Sequence, residues 1–259
     1  MFEDVKHDVA VANRMLAELG LASGVLASSG HASLRVPGSP GRFVVKGRGY
    51  KIDALARMSP EDMVVVDLEG FLVEGPPGAM QCFEIKMHSC IYRTYPNVQS
   101  IVHVHPRFVV VMGVLEAPLV PICQEGMTLV NRPLPLYPHC KTITTDEEGM
   151  EVANLLGDSK AILLQGHGAT TTGASLDESV MNMLHLEEQA RMNWYAYTAA
   201  GPGHRRITEA QIAEMNRPPL AELPHFRESM RAGQPRTGGA GVWNHYSEIV
   251  SRDLWDPRP

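Results

Sequence analysis

His103 and His105 stand two residues apart in Ser100-Ile101-Val102-His103-Val104-His105, an apolar run that ends at Pro106. Side chains at i and i+2 of a strand share one face, so the two imidazoles project together while Val102 and Val104 fill the opposite, buried side. Neutral imidazole is a borderline ligand that suits zinc, manganese or ferrous iron. A third histidine, His167, sits between Gly166 and Gly168, just after the apolar run Ala161-Ile162-Leu163-Leu164. Glycine allows backbone conformations closed to other residues and leaves room beside a ligand. A catalytic cation takes three protein ligands and keeps one position open. His103, His105 and His167 are therefore read as holding one divalent metal ion per subunit: zinc, manganese or iron. Glu84 is the carboxylate in reach, as a fourth ligand, a proton-exchanging group, or both. Glu84 and His88 are four apart on one helix face and form a rival pair, read more simply as a surface interaction.

Those side chains need a scaffold. Residues 3–19 alternate polar and apolar groups at helical spacing, with Gly20 as a stop. Ser28-Ser29-Gly30-His31 is a tight loop that enters a strand through Leu34-Arg35. Phe43 to Lys46 and Met63 to Asp67 are β-branched runs bounded by turn residues, hence strands. Cys82 to Tyr95 reads as a helix stopped at Pro96, because the residue before proline disfavours α geometry. Thr145-Asp146-Glu147-Glu148 and Ser175-Leu176-Asp177-Glu178 are capping boxes, and the second opens a long helix to about Ala199. The first strands follow one another with no helix between them. That pattern predicts an α/β sandwich with a mixed or antiparallel sheet, not a doubly wound parallel one. Residues 218–259, rich in Pro, Gly and Arg, read as an extended tail packing on the body or a neighbouring subunit.

The 259-residue chain is 44% hydrophobic and 20% charged, ordinary for a globular protein with a substantial core. Lys plus Arg number 23 against 29 for Asp plus Glu, a formal net charge of -6. That balance argues against nucleic-acid binding, which needs a basic footprint. The most apolar window, 101–115, is interrupted by Pro106 and Arg107 and is too short to cross a bilayer. Glu3 and Asp4 argue against a secretory signal. Cys82, Cys90, Cys123 and Cys140 lack CxxC spacing and read as reduced core thiols of a cytoplasmic protein.

Gly30-His31-Ala32-Ser33-Leu34-Arg35, Ser59-Pro60-Glu61-Asp62-Met63-Val64, Glu84-Ile85-Lys86-Met87-His88, Val102-His103-Val104-His105-Pro106 and Gly166-His167-Gly168 occur in that order. Together they resemble the class II aldolase/adducin family from about residue 8 to about residue 200, which makes 1–217 a catalytic domain of that kind. The resemblance implies a three-layer α/β/α sandwich with a central mixed, largely antiparallel sheet. It also implies a homotetramer whose active sites lie between subunits. It assigns His103, His105 and His167 to the metal, and Glu84 to metal binding or proton exchange with substrate. The adducin branch, a binding module, lacks the metal ligands that this chain keeps.

Sugar-phosphate aldolases and epimerases of that family hold phosphate with a Gly-Asn pair, a Thr/Ser-Gly pair and a Ser-Ser pair. Here the corresponding positions read Gly30-His31, Lys46-Gly47 and Cys82-Phe83. Phosphate wants hydroxyl and amide donors in a compact cradle, and neither Cys82 nor Phe83 supplies them. A tyrosine that the aldolases borrow from an adjacent subunit falls near Gln124-Glu125, with no tyrosine here. What remains is His31, Arg35, Lys46 and Arg48 with an apolar wall at Phe83, groups expected to bind a flat substrate carrying carboxylates. The stretch His185 to Met192 further resembles the family's hydroxyaryl carboxylate decarboxylases, which act on acids such as dihydroxyphthalate and a hydroxypyridine dicarboxylate. The expectation is a metal-dependent carbon–carbon lyase that decarboxylates a hydroxylated aromatic (di)carboxylic acid through a metal-bound phenolate and its keto form. The alternative is an aldolase or epimerase acting on a hydroxy-carbonyl, sugar-type substrate.

Overall fold

The computed structural model describes residues 2–215, 222–231 and 238–258. Its centre is a nine-stranded sheet. The strands are β1 (His31–Val36), β2 (Ser39–Arg48), β3 (Met63–Asp67), β4 (Leu72–Glu74), β5 (Met80–Gln81), β6 (Ser100–Val104), β7 (Leu136–Tyr137), β8 (Ala161–Leu164) and β9 (Gly168–Gly173). They lie in the order β4-β3-β2-β1-β6-β9-β8-β7, with β5 on β2. Every pairing is antiparallel except β7 with β8.

Helices cover both faces. On one lie α1 (Phe2–Glu18), α3 (Arg107–Val114) and α5 (Leu176–Ala200), whose apolar sides meet Ala32, Val102, Val104, Leu163 and Ala169. On the other, α2 (Ile85–Thr94) and α4 (Asp146–Leu156) pack on Phe43, Val45, Ile101, Ile162 and Leu164. Period-two alternation along β6 sends Val102 and Val104 into the first core and Ile101 into the second. The result is the expected three-layer α/β/α sandwich with a mixed, largely antiparallel sheet.

Local signals set most boundaries. α1 ends before Gly20, whose φ of +80° suits a residue without a Cβ. Thr145 and Glu148 form the full capping box of α4, whereas Ser175 caps α5 while Glu178 accepts from Ala174 N. The helix expected from Cys82 begins only at Ile85, so Glu84 is its N-cap residue.

Two expectations need correction. β9, Gly168-Ala169-Thr170-Thr171-Thr172-Gly173, was not foreseen as a strand, yet it is wholly buried between β6 and β8. Threonine is β-branched, and its polarity is absorbed locally: Thr171 Oγ1 donates to Ser179 O at 2.8 Å. The tail is also not extended where described. It carries α7 (Pro224–Arg231) and α8 (Gly238–Ser251), following α6 (Glu209–Met215), while the boundary expected at 217/218 lies outside the described residues. α8 packs on α1 and α5 through Trp243 and Tyr246, and Arg14 clamps Val250 O and Asp253. No helix among the described residues is long and apolar enough to cross a membrane.

Candidate metal centre

Sheet register brings the histidines together. His103 on β6 lies opposite His31 on β1 and opposite Thr170 on β9. His103 is fully buried, and its Nδ1 donates to the Ala169 carbonyl at 3.0 Å, with Thr170 Oγ1 at 3.2 Å. A carbonyl only accepts, so Nδ1 carries the hydrogen and Nε2 is the free ligand atom. That Nε2 is 3.1 Å from His105 Nε2 and 3.0 Å from Glu84 Oε2. Glu84 Oε1 lies 3.5 Å from His167 Nε2 and accepts from Ile143 N at 3.4 Å. One ligand atom from each of Glu84, His103, His105 and His167 falls within 4.8 Å of the others.

Lone pairs and a carboxylate packed this closely repel one another unless positive charge sits among them. A divalent cation meets that need, and three imidazole nitrogens with one carboxylate oxygen are a donor set that zinc, manganese or ferrous iron accepts. The electrostatics agree. Burial, helped by His103 and His167, holds His105 down to about 3, and burial lowers His167 too, so both rings are neutral. Burial alone would raise Glu84, but positive charge at His103, His31 or His167 outweighs it and lowers the carboxyl below the usual carboxylate range; with the rings neutral, a cation among them supplies that charge. The residues fit a metal ion.

Backbone geometry places these side chains. Gly166 has φ +66°, which admits the turn ahead of His167. A Cβ on Gly168 would strike the Val104 carbonyl and lie 2.9 Å from His105 Cδ2. Gly168→Ala is therefore expected to pry β9 from β6 beside His105, destabilising the fold by about 1–3 kcal/mol and weakening metal binding. Urea denaturation and metal titration of the variant check both effects.

Glu187 on α5 accepts from Phe108 N at 3.2 Å and Val109 N at 3.0 Å, and so holds the first turn of α3 just after His105-Pro106. Burial pushes this carboxyl up to about 7. Glu187→Ala removes the cap and is expected to lower stability by about 1–2 kcal/mol, read as a lower urea midpoint. No sequence signal marked Glu187 for this task. The 138–144 segment was also missed, although it walls the site through Ile143 N and through Cys140 Sγ, which donates to Gly166 O at 3.3 Å.

The expected substrate groups divide. His31 is buried beside the cluster, its Nε2 3.9 Å from Glu84 Oε2. Phe83 is 57% exposed next to Glu84, with the Arg48 guanidinium 4.5 Å above its ring. Lys46 and Arg48 are not free cations, because Asp53 binds both: Lys46 Nζ at 2.5 Å and Arg48 Nε at 3.2 Å. Arg35 is a correction. It shares a strand face with His31, but four residues on, about 13 Å at the usual strand rise. Its guanidinium is spent on the carbonyls of Val98, Pro40 and Tyr92. His88 is likewise no surface partner of Glu84; it is fully buried against His31 and Ser33. All four cysteines are free, but Cys123 is half-buried and Cys140 exposed, so only Cys82 and Cys90 are core thiols.

Comparison with known proteins agrees with this geometry. Residues 7–194 match the family described as Class II Aldolase and Adducin N-terminal domain. A 3,4-dihydroxyphthalate decarboxylase of Rhodococcus jostii (strain RHA1) is 30% identical, covering 94% of each chain. Among solved structures, an aldolase II superfamily protein from Pseudomonas syringae superposes with a TM-score of 0.77 at 21% identity, covering 97% of this chain and 93% of that one. The L-fuculose-1-phosphate aldolase from Thermus thermophilus gives 0.64 at 30% identity, covering 78% of this chain and 98% of that one. The family match over residues 7–194 and the 30% identity over 94% of each chain decide the matter: the chain belongs to the class II aldolase and adducin N-terminal domain family, as one of its enzymes.

Proposed function

We propose that the protein is a divalent-metal-dependent carbon–carbon lyase that decarboxylates a hydroxylated aromatic (di)carboxylic acid. The observation that carries this reading is the convergence of Glu84, His103, His105 and His167 beside the exposed face of Phe83. The relative from Rhodococcus, whose name specifies 3,4-dihydroxyphthalate, supports the substrate class. In this reading His103, His105 and His167 hold the cation, with Glu84 next to it. Assembly as a homo-oligomer with sites between subunits belongs to the same reading.

When bound, the cation supplies a Lewis acid that draws electron density onto oxygen as the carbon–carbon bond breaks. Glu84, ionised in the free protein, accepts the proton of the substrate hydroxyl. It returns that proton to the ring carbon bearing the carboxylate, which produces the keto tautomer. The bond to the carboxylate then breaks, carbon dioxide leaves, and the electron pair restores the aromatic ring. The hydroxyl oxygen regains a proton from solvent. Phe83 supplies a flat wall, and the Arg48 edge not bound to Asp53 offers N–H donors to a carboxylate.

The alternative, an aldolase or epimerase on a hydroxy-carbonyl substrate, has in its favour the 30% identity to the Thermus enzyme. Against it, Lys46 is engaged by Asp53 and Ser28 O and Cys82 is buried, so neither position offers phosphate a free donor. Protein loaded with manganese or zinc should release one carbon dioxide per 3,4-dihydroxyphthalate consumed. Aldehyde release from a sugar phosphate, with no carbon dioxide from any hydroxylated aryl acid, would establish the alternative.

A further inference from the structure

A row of hydrogen bonds leads away from the metal centre between β1 and α2. His31 Nδ1 meets His88 Nε2 at 2.9 Å, and His88 Nδ1 meets Ser33 Oγ at 2.7 Å. Ser33 Oγ meets the Tyr92 hydroxyl at 2.8 Å, and that hydroxyl reaches the Gln99 carbonyl at 3.4 Å. Two periodicities build the row. His31 and Ser33 are two apart on a strand, and His88 and Tyr92 are four apart on a helix, so one strand face meets one helix face. All four side chains are buried. Polar groups in such a place destabilise a core unless they are satisfied, and here each of the four side chains meets at least one partner.

The row also has a direction. The Gln99 carbonyl only accepts, and Tyr92 donating to it at 3.4 Å selects one sense for a row whose hydroxyls and rings can each donate either way. Ser33 then donates to the Tyr92 oxygen, His88 donates from Nδ1 to Ser33, and His31 donates from Nδ1 to His88 Nε2. His31 Nε2 is left with its lone pair, 3.9 Å from Glu84 Oε2. The far end is closed, because burial holds the Tyr92 hydroxyl far above its usual range and it keeps its proton. Arg35 locks that end, donating to Tyr92 O at 2.9 Å with its guanidinium 4.5 Å over the ring.

We propose that His88 is a positioning residue: it fixes the ring of His31 and the hydrogen on its Nδ1, so that His31 Nε2 offers an acceptor to a hydroxyl of a substrate bound beside Glu84. Only the substrate hydroxyl rests on the decarboxylase reading; the tautomer of His31 does not.

The test is nitrogen-15 NMR of the histidine rings in zinc-loaded protein, run alongside zinc content and steady-state kinetics. His31 is expected to carry its hydrogen on Nδ1 in the parent and in His88→Gln, whose amide oxygen can still accept from it. In His88→Leu the hydrogen should move to Nε2 or exchange between the two nitrogens. There kcat should fall about 10- to 100-fold with zinc content unchanged, while His88→Gln keeps most of the activity. Should His88→Leu fail to fold, Ser33→Ala and Tyr92→Phe, which each delete one hydroxyl from the row, are expected to shift the tautomer in the same direction. A parent His31 with its hydrogen on Nε2, or a tautomer unmoved in every variant, overturns the proposal. If no aryl acid releases carbon dioxide, the substrate reading fails while the tautomer result stands.

Discussion

His103→Ala should yield folded protein that no longer retains stoichiometric divalent metal and that has lost about three orders of magnitude in turnover. His103 is the hub of the cluster, with its Nε2 within 3.1 Å of both Glu84 and His105. Its orientation is set from behind by the Ala169 carbonyl and Thr170, so no neighbouring side chain can take its place. A Lewis acid contributes several kcal/mol at bond cleavage, and each ~1.4 kcal/mol is tenfold in rate, hence ~10³. The loss of the imidazole also leaves the Glu84 carboxylate buried with one fewer partner. Elemental analysis, circular dichroism and kcat/KM measured on one preparation separate loss of metal from loss of fold. Chelator treatment of the parent should reproduce the kinetic loss, and added manganese or zinc should reverse it in the parent alone.

Glu84→Gln is expected to act differently. Glutamine keeps the shape and can still accept from Ile143 N, so the start of α2 should hold. What disappears is a carboxylate whose pKa lies below the usual range and which is therefore ionised. A group that shuttles one proton between substrate oxygen and ring carbon contributes about 10²–10⁴ to the rate. The expected outcome is therefore a fall in kcat of that size with a small change in KM. Metal should be retained, bound more weakly because three imidazoles remain. Isothermal titration with manganese and stopped-flow turnover read the two effects apart. Weak metal binding with the parent's kcat restored once the variant is saturated with manganese would make Glu84 a ligand and nothing more.

The residues of the cluster were legible because local geometry governs them. A His-x-His on a strand must share a face, and a histidine between two glycines at a strand end has room for little except a site. The layers were legible too, since runs such as Met63 to Asp67 and the Thr145 box carry their own boundaries. Position along an element was harder to read. Alternation told that Arg35 shares a face with His31 but not how far along the strand it falls, and only tertiary packing directs its guanidinium to three carbonyls. Lys46 and Arg48 looked like free cations because their partner, Asp53, arrives from a loop past β2. β9 was hidden because its glycines and threonines lack an apolar run, although their neighbours on β6 and β8 make it central. His88 was read as a surface group since helical spacing pairs it with Glu84, whereas register between α2 and β1 pairs it with His31. The tail's Pro, Gly and Arg content reads as extended chain, although Pro224 opens α7 and Gly238 opens α8.

One measurement bears most directly on the metal centre: anomalous diffraction from crystals of the manganese- or zinc-loaded protein, collected on both sides of the metal's absorption edge. A single strong peak is expected within bonding distance of Nε2 of His103, His105 and His167, with Glu84 adjacent. A peak elsewhere, or fully loaded crystals with no peak among these residues, would contradict a cation held by these three histidines.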